Sequence, residues 1–356
     1  MNKTNEPHKT RVVIVDDSAF MRKIIADILV EDPTIEIIGK ARDGNEAMNV
    51  ISSLSPDVVT LDIEMPGRSG IEVLQDIMDL KPIPVVMVSS LTKKGADVTM
   101  QALDIGAVDF VTKPSGSIAL DMEKVAVELR SKVKAASRAS VRGKWTKRIL
   151  SSAEEVAAPP IRRETRGRME LLVIASSTGG PMALQQVIPE LPGSFHVPIL
   201  VVQHMPPGFT TSLAKRLNER SALKVIEACD EMPVRKGSVI IAPGGYHMIV
   251  EKKGAELVCR LTEMPPVRSV RPSADVLFKS VSEVVGGNVI AVVLTGMGKD
   301  GLDGSRFLRE KGAYVIAESR ETSVIFGMPA AVIEAGLADE ILPLYSIAEG
   351  LERVVK

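Results

Sequence analysis

Residues 12–22 read VVIVDDSAFMR, and the chain continues KIIADIL. Four successive β-branched residues make a strand that is apolar on both faces, and two carboxylates stand where it ends. Apolar residues at helical spacing follow. The unit then recurs: IEIIG (35–39), DVVTLD (57–62), IPVVMVSS (83–90) and AVDFV (107–111) are further short apolar runs, with amphipathic stretches such as GIEVLQDIM between them. Five such alternations predict a doubly wound parallel sheet with helices on both faces.

The same pattern resumes from Glu170. LLVIASS, PMALQQVIPEL, VPILVVQH and GFTTSLAKRLNER follow in order; after a more irregular stretch containing KGSVIIAP come NVIAVVLT, LDGSRFLREKG and AYVIAES. A second α/β domain with a mainly parallel sheet is expected. A chain of 356 residues exceeds the ~250–300 at which one core usually stops growing, which also favours two domains. Between them, residues 131–168 are rich in Ser, Ala, Lys and Arg and contain Pro159-Pro160. The first part reads as a continuation of the preceding helix and the rest as a basic flexible linker, with Trp145 packing it onto a domain. The expected domains are 1–130, 131–168 and 169–356.

The net charge of −1 hides an uneven distribution. Residues 1–129 carry 13 basic and 21 acidic side chains, residues 130–170 carry 12 and 4, and residues 171–356 carry 19 and 20. An acidic domain, a basic connector and a neutral domain do not make a nucleic-acid-binding face. Aromatics are only 3%, so the cores are built from aliphatic residues. Cys229 and Cys259 lie in separate segments and form no CxxC pair, so neither a disulfide framework nor a zinc ribbon is implied. The N-terminus is polar, and no apolar run approaches ~18 residues. Membrane insertion is not expected, and the cytoplasm is the expected location.

Functional side chains of doubly wound sheets gather at the carboxyl ends of strands. In the first domain those ends carry Asp16, Asp17, Asp62, Ser89 and Lys113. Three carboxylates suit Mg²⁺, a hard cation that keeps several waters. Asp62 can then accept a phosphoryl group, with Lys113 neutralising charge and Ser89 offering a hydroxyl. An Asp at a strand end is more often a helix cap, but five such residues in place are harder to explain that way. VVIVDDSAFMR, VVTLDIEMPGRSG and DFVTKP together resemble a response-regulator receiver domain over residues 10–135, which implies a flavodoxin-like fold. The resemblance makes Asp62 the phospho-acceptor, Asp16, Asp17 and Asp62 the Mg²⁺ ligands, Ser89 and Lys113 the phosphoryl sensors and Phe110 a switch aromatic. Ser69 stands where many receivers carry Asp.

In the second domain, only His204 and His247 of the four histidines sit where strand ends meet Gly/Pro loops. LLVIASSTGGP puts Ser176 and Ser177 on a strand-to-helix turn, with glycines for close approach and Pro181 in the first helical turn. A serine there exposes its hydroxyl beside helix N-terminal amides. Spacing does not choose between the two, and either also fits a helix cap. LTGMGKDG has G-x-G-x-x-G spacing, with Glu318 ending the next strand, and so also fits a nucleotide-binding oxidoreductase. Against that, the loop comes late in its domain, and Asp300 inside it would repel a pyrophosphate. The same Asp suits a triad, orienting a histidine.

IASSTGGP, VVQHMPPGFT, APGGYHM, RPSADVLF and LTGMGKDG together resemble the catalytic domain of the chemotaxis protein-glutamate methylesterases, the CheB family, over about residues 170–350. That resemblance implies Ser177 as nucleophile, His204 as base, Asp300 as orienting carboxylate and the Met297 N–H at the oxyanion. Ser176 replaces the family's usual Ala. The implied function is a phosphorylation-activated hydrolase that demethylates glutamate methyl esters of methyl-accepting chemoreceptors and deamidates their glutamines. A chemotaxis histidine kinase is the implied phosphodonor. Mg²⁺ serves phosphorylation, and ester hydrolysis is expected to need no cofactor. The tether is long enough for the unphosphorylated receiver to fold back over the catalytic mouth, so inhibition is the expected regulation. A phosphorylation-controlled binding module with a relic triad is the other reading.

Overall fold

The computed structural model describes residues 9–113, 119–139 and 169–355. His8, Trp145 and residues 140–168 of the expected linker lie outside the described residues. Two compact units divide the chain, Met1–Ala153 and Glu154–Lys356.

The first unit holds strands β1 (Thr10–Val15), β2 (Ile35–Ala41), β3 (Val58–Asp62), β4 (Val85–Ser89) and β5 (Asp109–Thr112). All are parallel, in the order β2-β1-β3-β4-β5, as the recurring apolar runs predict. Helices α1 (Ala19–Val30), α2 (Gly44–Leu54), α3 (Gly70–Leu80), α4 (Lys93–Ile105) and α5 (Ala119–Arg138) alternate with them. α5 continues past residue 130, as the reading of the connector's first part anticipates. Local chemistry starts four of these helices: Ser18, Asp43, Ser69 and Thr92 each cap the first turn through a side-chain oxygen. Ser69 also forms a reciprocal capping box with Glu72. The residue that departs from the usual receiver pattern therefore starts α3. The strand order reverses around β1, and in doubly wound sheets ligands bind at the carboxyl ends of the strands beside such a reversal. Val15 pairs with Leu61, so Asp16 and Asp62 leave neighbouring strands at the same level.

The second unit places β6 (Leu171–Ser176) at the centre of a seven-stranded parallel sheet. On one side lie β13 (Val289–Val293), β14 (Tyr314–Glu318) and β15 (Glu340–Leu342); on the other lie β7 (Ile199–Gln203), β10 (Ser238–Ile241) and β8 (Lys224–Glu227). Helices α6 (Gly180–Glu190), α7 (Phe209–Arg220), α8 (Ala274–Val284), α9 (Leu302–Glu310), α10 (Met328–Glu334) and α11 (Leu344–Val355) complete it. One core cluster runs from Leu171, Val173 and Ala175 of β6 to Leu277, Phe278 and Val281 of α8.

The irregular stretch contains more structure than its sequence suggested. β11 (His247–Lys253) and β12 (Glu256–Thr262) form an antiparallel hairpin joined by β9 (Met232–Pro233). The hairpin turns at Gly254, whose φ is +67°, and its Glu and Lys residues mask the two-residue alternation.

Candidate functional site

Ser176 and Ser177 lie where β6 turns into α6, and the turn separates them. Ser176 is fully buried; its hydroxyl donates to Gln203 Oε1 at 2.7 Å. Gln203 in turn donates to the carbonyls of Ser177 and His204, at 3.0 and 3.1 Å. A Cβ at Gly180 would collide with this amide, so a glycine is needed there. Ser177 remains half-buried, and its N–H donates to the Thr295 carbonyl at 3.0 Å. Gly296 backs it closely: a Cβ there would lie 2.8 Å from Ser177 Cβ.

His204 follows β7, and its N–H donates to the Ser176 carbonyl at 3.1 Å. Its Nε2 lies 2.8 Å from Asp300 Oδ2. Asp300 is buried and accepts Ser273 Oγ–H at 2.7 Å and the Ala274 and Asp275 N–H groups at 2.6 and 3.1 Å. Burial alone would raise its pKa, but the His204 contact, reinforced by the Ser273 and Ala274 donors, holds it at about 2. An ionised Asp300 makes Nε2 of His204 the protonated nitrogen and leaves the Nδ1 lone pair to take a proton. Met297, in the next loop, is 43% exposed. The neighbouring Gly296 carbonyl accepts from Gly327 and Met328, which pins that loop.

His247, the other candidate at a strand end, does not reach this pair directly. Its ring is fully buried, and both nitrogens face backbone groups.

The glycine spacing of LTGMGKDG serves this site and not a nucleotide. The amides of Gly301 and Gly304, which open α9, donate to Asp275 Oδ1 at 2.9 and 2.8 Å. A carboxylate thus occupies the helix end a pyrophosphate would need. Glu318 is buried and accepts from Thr295 N–H at 2.7 Å and Thr322 Oγ1–H at 2.9 Å, which closes it to a ribose.

In the first unit, oxygens of Asp16, Asp17 and Asp62 lie within 4.8 Å of one another. Lys113 Nζ sits 2.6 Å from Asp62 Oδ2 and 3.4 Å from Asp16 Oδ2. Asp16 Oδ2 is otherwise buried without a hydrogen-bond partner, as suits an oxygen that meets a cation. The donor set fits Mg²⁺. Burial pushes the Asp62 pKa up to about 6 despite the Lys113 contact. Ser89 is buried and receives the Thr99 hydroxyl at 2.7 Å. Phe110 is buried on β5, with Lys132 Nζ 5.0 Å from its ring centroid.

Sequence reading missed Gln203, Ser273 and Asp275. Gln203 carried a signal, since it ends β7 beside His204. Ser273 and Asp275 come from a helix start distant in sequence, and only folding brings them to Asp300.

A serine at a strand-to-helix turn, a His–Asp pair at the end of the neighbouring strand and, in the first unit, an acidic cluster at strand ends are the arrangement expected of a hydrolase joined to a receiver domain. Residues 172–351 match the family model of the CheB methylesterase, and residues 12–123 match that of the response regulator receiver domain. The chain is 49% identical to the protein-glutamate methylesterase/protein-glutamine glutaminase of Symbiobacterium thermophilum, over 97% of each chain. It is 46% identical to the protein of that name from Thermotoga maritima, over 97% of this chain and 98% of the other. The crystal structure of the Thermotoga maritima CheB methylesterase catalytic domain aligns with a TM-score of 0.52 and 46% identity, covering 53% of this chain and all of that one. The chain belongs to the CheB methylesterase family, and it is a hydrolase with a receiver domain.

Proposed function

We propose that the chain removes methyl groups from glutamate methyl esters of chemoreceptors, deamidates receptor glutamines, and is activated by phosphorylation of Asp62. The support is the 2.8 Å His204–Asp300 pair beside Ser177, together with the double activity in its relatives' names.

Ser177 Oγ attacks the ester carbonyl while His204 Nδ1 takes its proton. Asp300 stays charged and stabilises the imidazolium. Backbone amides of the β6–α6 turn and the Met297 N–H hold the oxyanion. Collapse of the tetrahedral intermediate breaks the bond to the methoxy oxygen, His204 returns the proton, and methanol leaves. Water then adds to the acyl-serine, again with His204 as base, which releases glutamate and restores the hydroxyl.

In the receiver, Asp62 accepts the phosphoryl group from a phosphohistidine of a chemotaxis kinase. Asp16, Asp17 and Asp62 would hold Mg²⁺, which neutralises the phosphoryl oxygens. Lys113 and the Ser89 hydroxyl engage the transferred group, and Phe110 responds. The unphosphorylated receiver restrains the hydrolase. Among the described residues no helix is long and apolar enough to cross a membrane, and the cytoplasmic face of receptor membranes is where we place the reaction.

The test is to incubate the full chain with receptor membranes labelled in the ester methyl group. Labelled methanol should appear, faster with an Mg²⁺-supported phosphodonor. No release above buffer sinks the proposal.

A further inference from the structure

The mechanism uses one of the two histidines at strand ends. His247 opens β11, and its ring is buried to 0% exposure. Ser273 N–H donates to Nδ1 at 3.2 Å, and Nε2 lies 3.1 Å from the Pro265 carbonyl. Nδ1 is therefore an acceptor and Nε2 a donor, the pattern of a neutral imidazole in one tautomer. With both nitrogens engaged, the ring has none left to take a proton from Ser177.

Its partner Ser273 is the residue just before α8, and its side chain does not cap that helix. The Ser273 hydroxyl turns instead to Asp300 Oδ1 at 2.7 Å, and the next two amides also donate to Asp300. Asp300 is thus the external cap of α8, and apart from the His204 contact these bonds all come from residues 273–275. The Ser273 N–H is the one amide of this group that goes elsewhere, to His247. The charged groups facing the ring are Arg271, just before α8, and Asp300, after β13. Burial, aided by Arg271, lowers the His247 pKa, which keeps Nδ1 an acceptor.

We propose that His247 is a positioning residue of the hydrolase: its Nδ1 fixes Ser273, Ser273 and the following amides fix Asp300, and Asp300 orients His204. A small shift at the start of α8 would turn the imidazole that takes the Ser177 proton, and displacements near 1 Å cost about 100-fold in rate. The proposal rests on the Ser177–His204–Asp300 reading.

Two amide isosteres separate this role from mere packing. In His247→Asn the amide oxygen falls near Nδ1 and still accepts the Ser273 N–H. In His247→Gln the amide nitrogen falls near Nε2 and keeps only the Pro265 contact. Methanol release by the full chain from labelled receptor membranes should show kcat within about fivefold of wild type for Asn. For Gln it should fall about 10- to 100-fold, with KM within about twofold. Thermal melts of both variants, run alongside, report whether they fold. Equal kcat for the two variants, or a loss in both that follows their melting temperatures, would overturn the proposal. Ser177→Ala in the same assay distinguishes the failures: full release by that variant sinks the triad reading, whereas its inactivity beside a fully active Gln variant sinks the positioning role alone.

Discussion

Asp300 and Asp275 each accept hydrogen bonds from the backbone that opens the other's helix. Asp300, just before α9, takes the Ala274 and Asp275 amides of α8; Asp275, in α8, takes the Gly301 and Gly304 amides of α9. Each carboxylate meets the positive end of a helix dipole. The exchange ties the orientation of the carboxylate that faces His204 to the packing of α8 on α9.

Substituting Asp275 should therefore damage stability and catalysis together. Asp275→Ala leaves two α9 amides without their acceptor and removes the 3.1 Å bond from Arg268, which keeps only its pairing with Asp303. Loss of such a cap costs roughly 1–3 kcal/mol. A lowered denaturation midpoint with a reduced kcat is the expected result; an unchanged midpoint would show that the amides find other partners.

Asp300→Asn should lower stability without unfolding the protein, because one of the two accepting oxygens and the charge are lost, and it should spoil the chemistry. An amide in the same place can donate where His204 Nε2 must donate, which favours the wrong tautomer. A loss of about a thousandfold or more in kcat is expected. Its pH signature is separate. Because the Asp300 pKa is lowered from 3.8 to about 2, its ionised form stabilises the fold above the unfolded value, and that contribution is lost as pH falls from 3.8 toward 2. The Asn variant should lack that part of the acid destabilisation seen in denaturation midpoints.

Glu318 has the opposite sign. Burial raises its pKa from 4.5 to about 7 against the Thr295 and Thr322 donors. Its protonated form is favoured in the fold, so stability is fullest below 4.5 and falls as pH rises through 7, by at most about 3 kcal/mol. Glu318→Gln should flatten this fall. Melting temperatures of both proteins at pH 5 and pH 8, on either side of about 7, measure it; parallel curves would mean Glu318 is ionised in the fold at both.

For the receiver, Asp16→Asn removes the buried oxygen that lacks a hydrogen-bond partner. Calorimetric titration should show Mg²⁺ affinity falling more than about tenfold. Phosphodonor-stimulated methanol release should fall with it, while unstimulated release stays the same.

The parts of this molecule that were plain from its sequence share a cause. Parallel strands buried on both faces read as unbroken apolar runs, so β1, β3, β6, β7 and β13 were visible, as were the residues ending them. The β11–β12 hairpin was not, because charged residues fill its solvent face. Spacing could not choose between Ser176 and Ser177, since both precede the same glycines. What separates them is Gln203, opposite Ser176 on the neighbouring strand, which takes up one hydroxyl and leaves the other. His247 was visible as a strand-end histidine, but its bonds to Ser273 and Pro265 come from tertiary packing.

The most direct measurement is methanol release from labelled receptor membranes by Ser176→Ala and Ser177→Ala side by side. Ser176 only satisfies Gln203, so its loss should leave the rate within about tenfold. Loss of Ser177 should remove at least about 10⁴-fold. Full release by Ser177→Ala, or inactivity confined to Ser176→Ala, would contradict the assignment of the nucleophile.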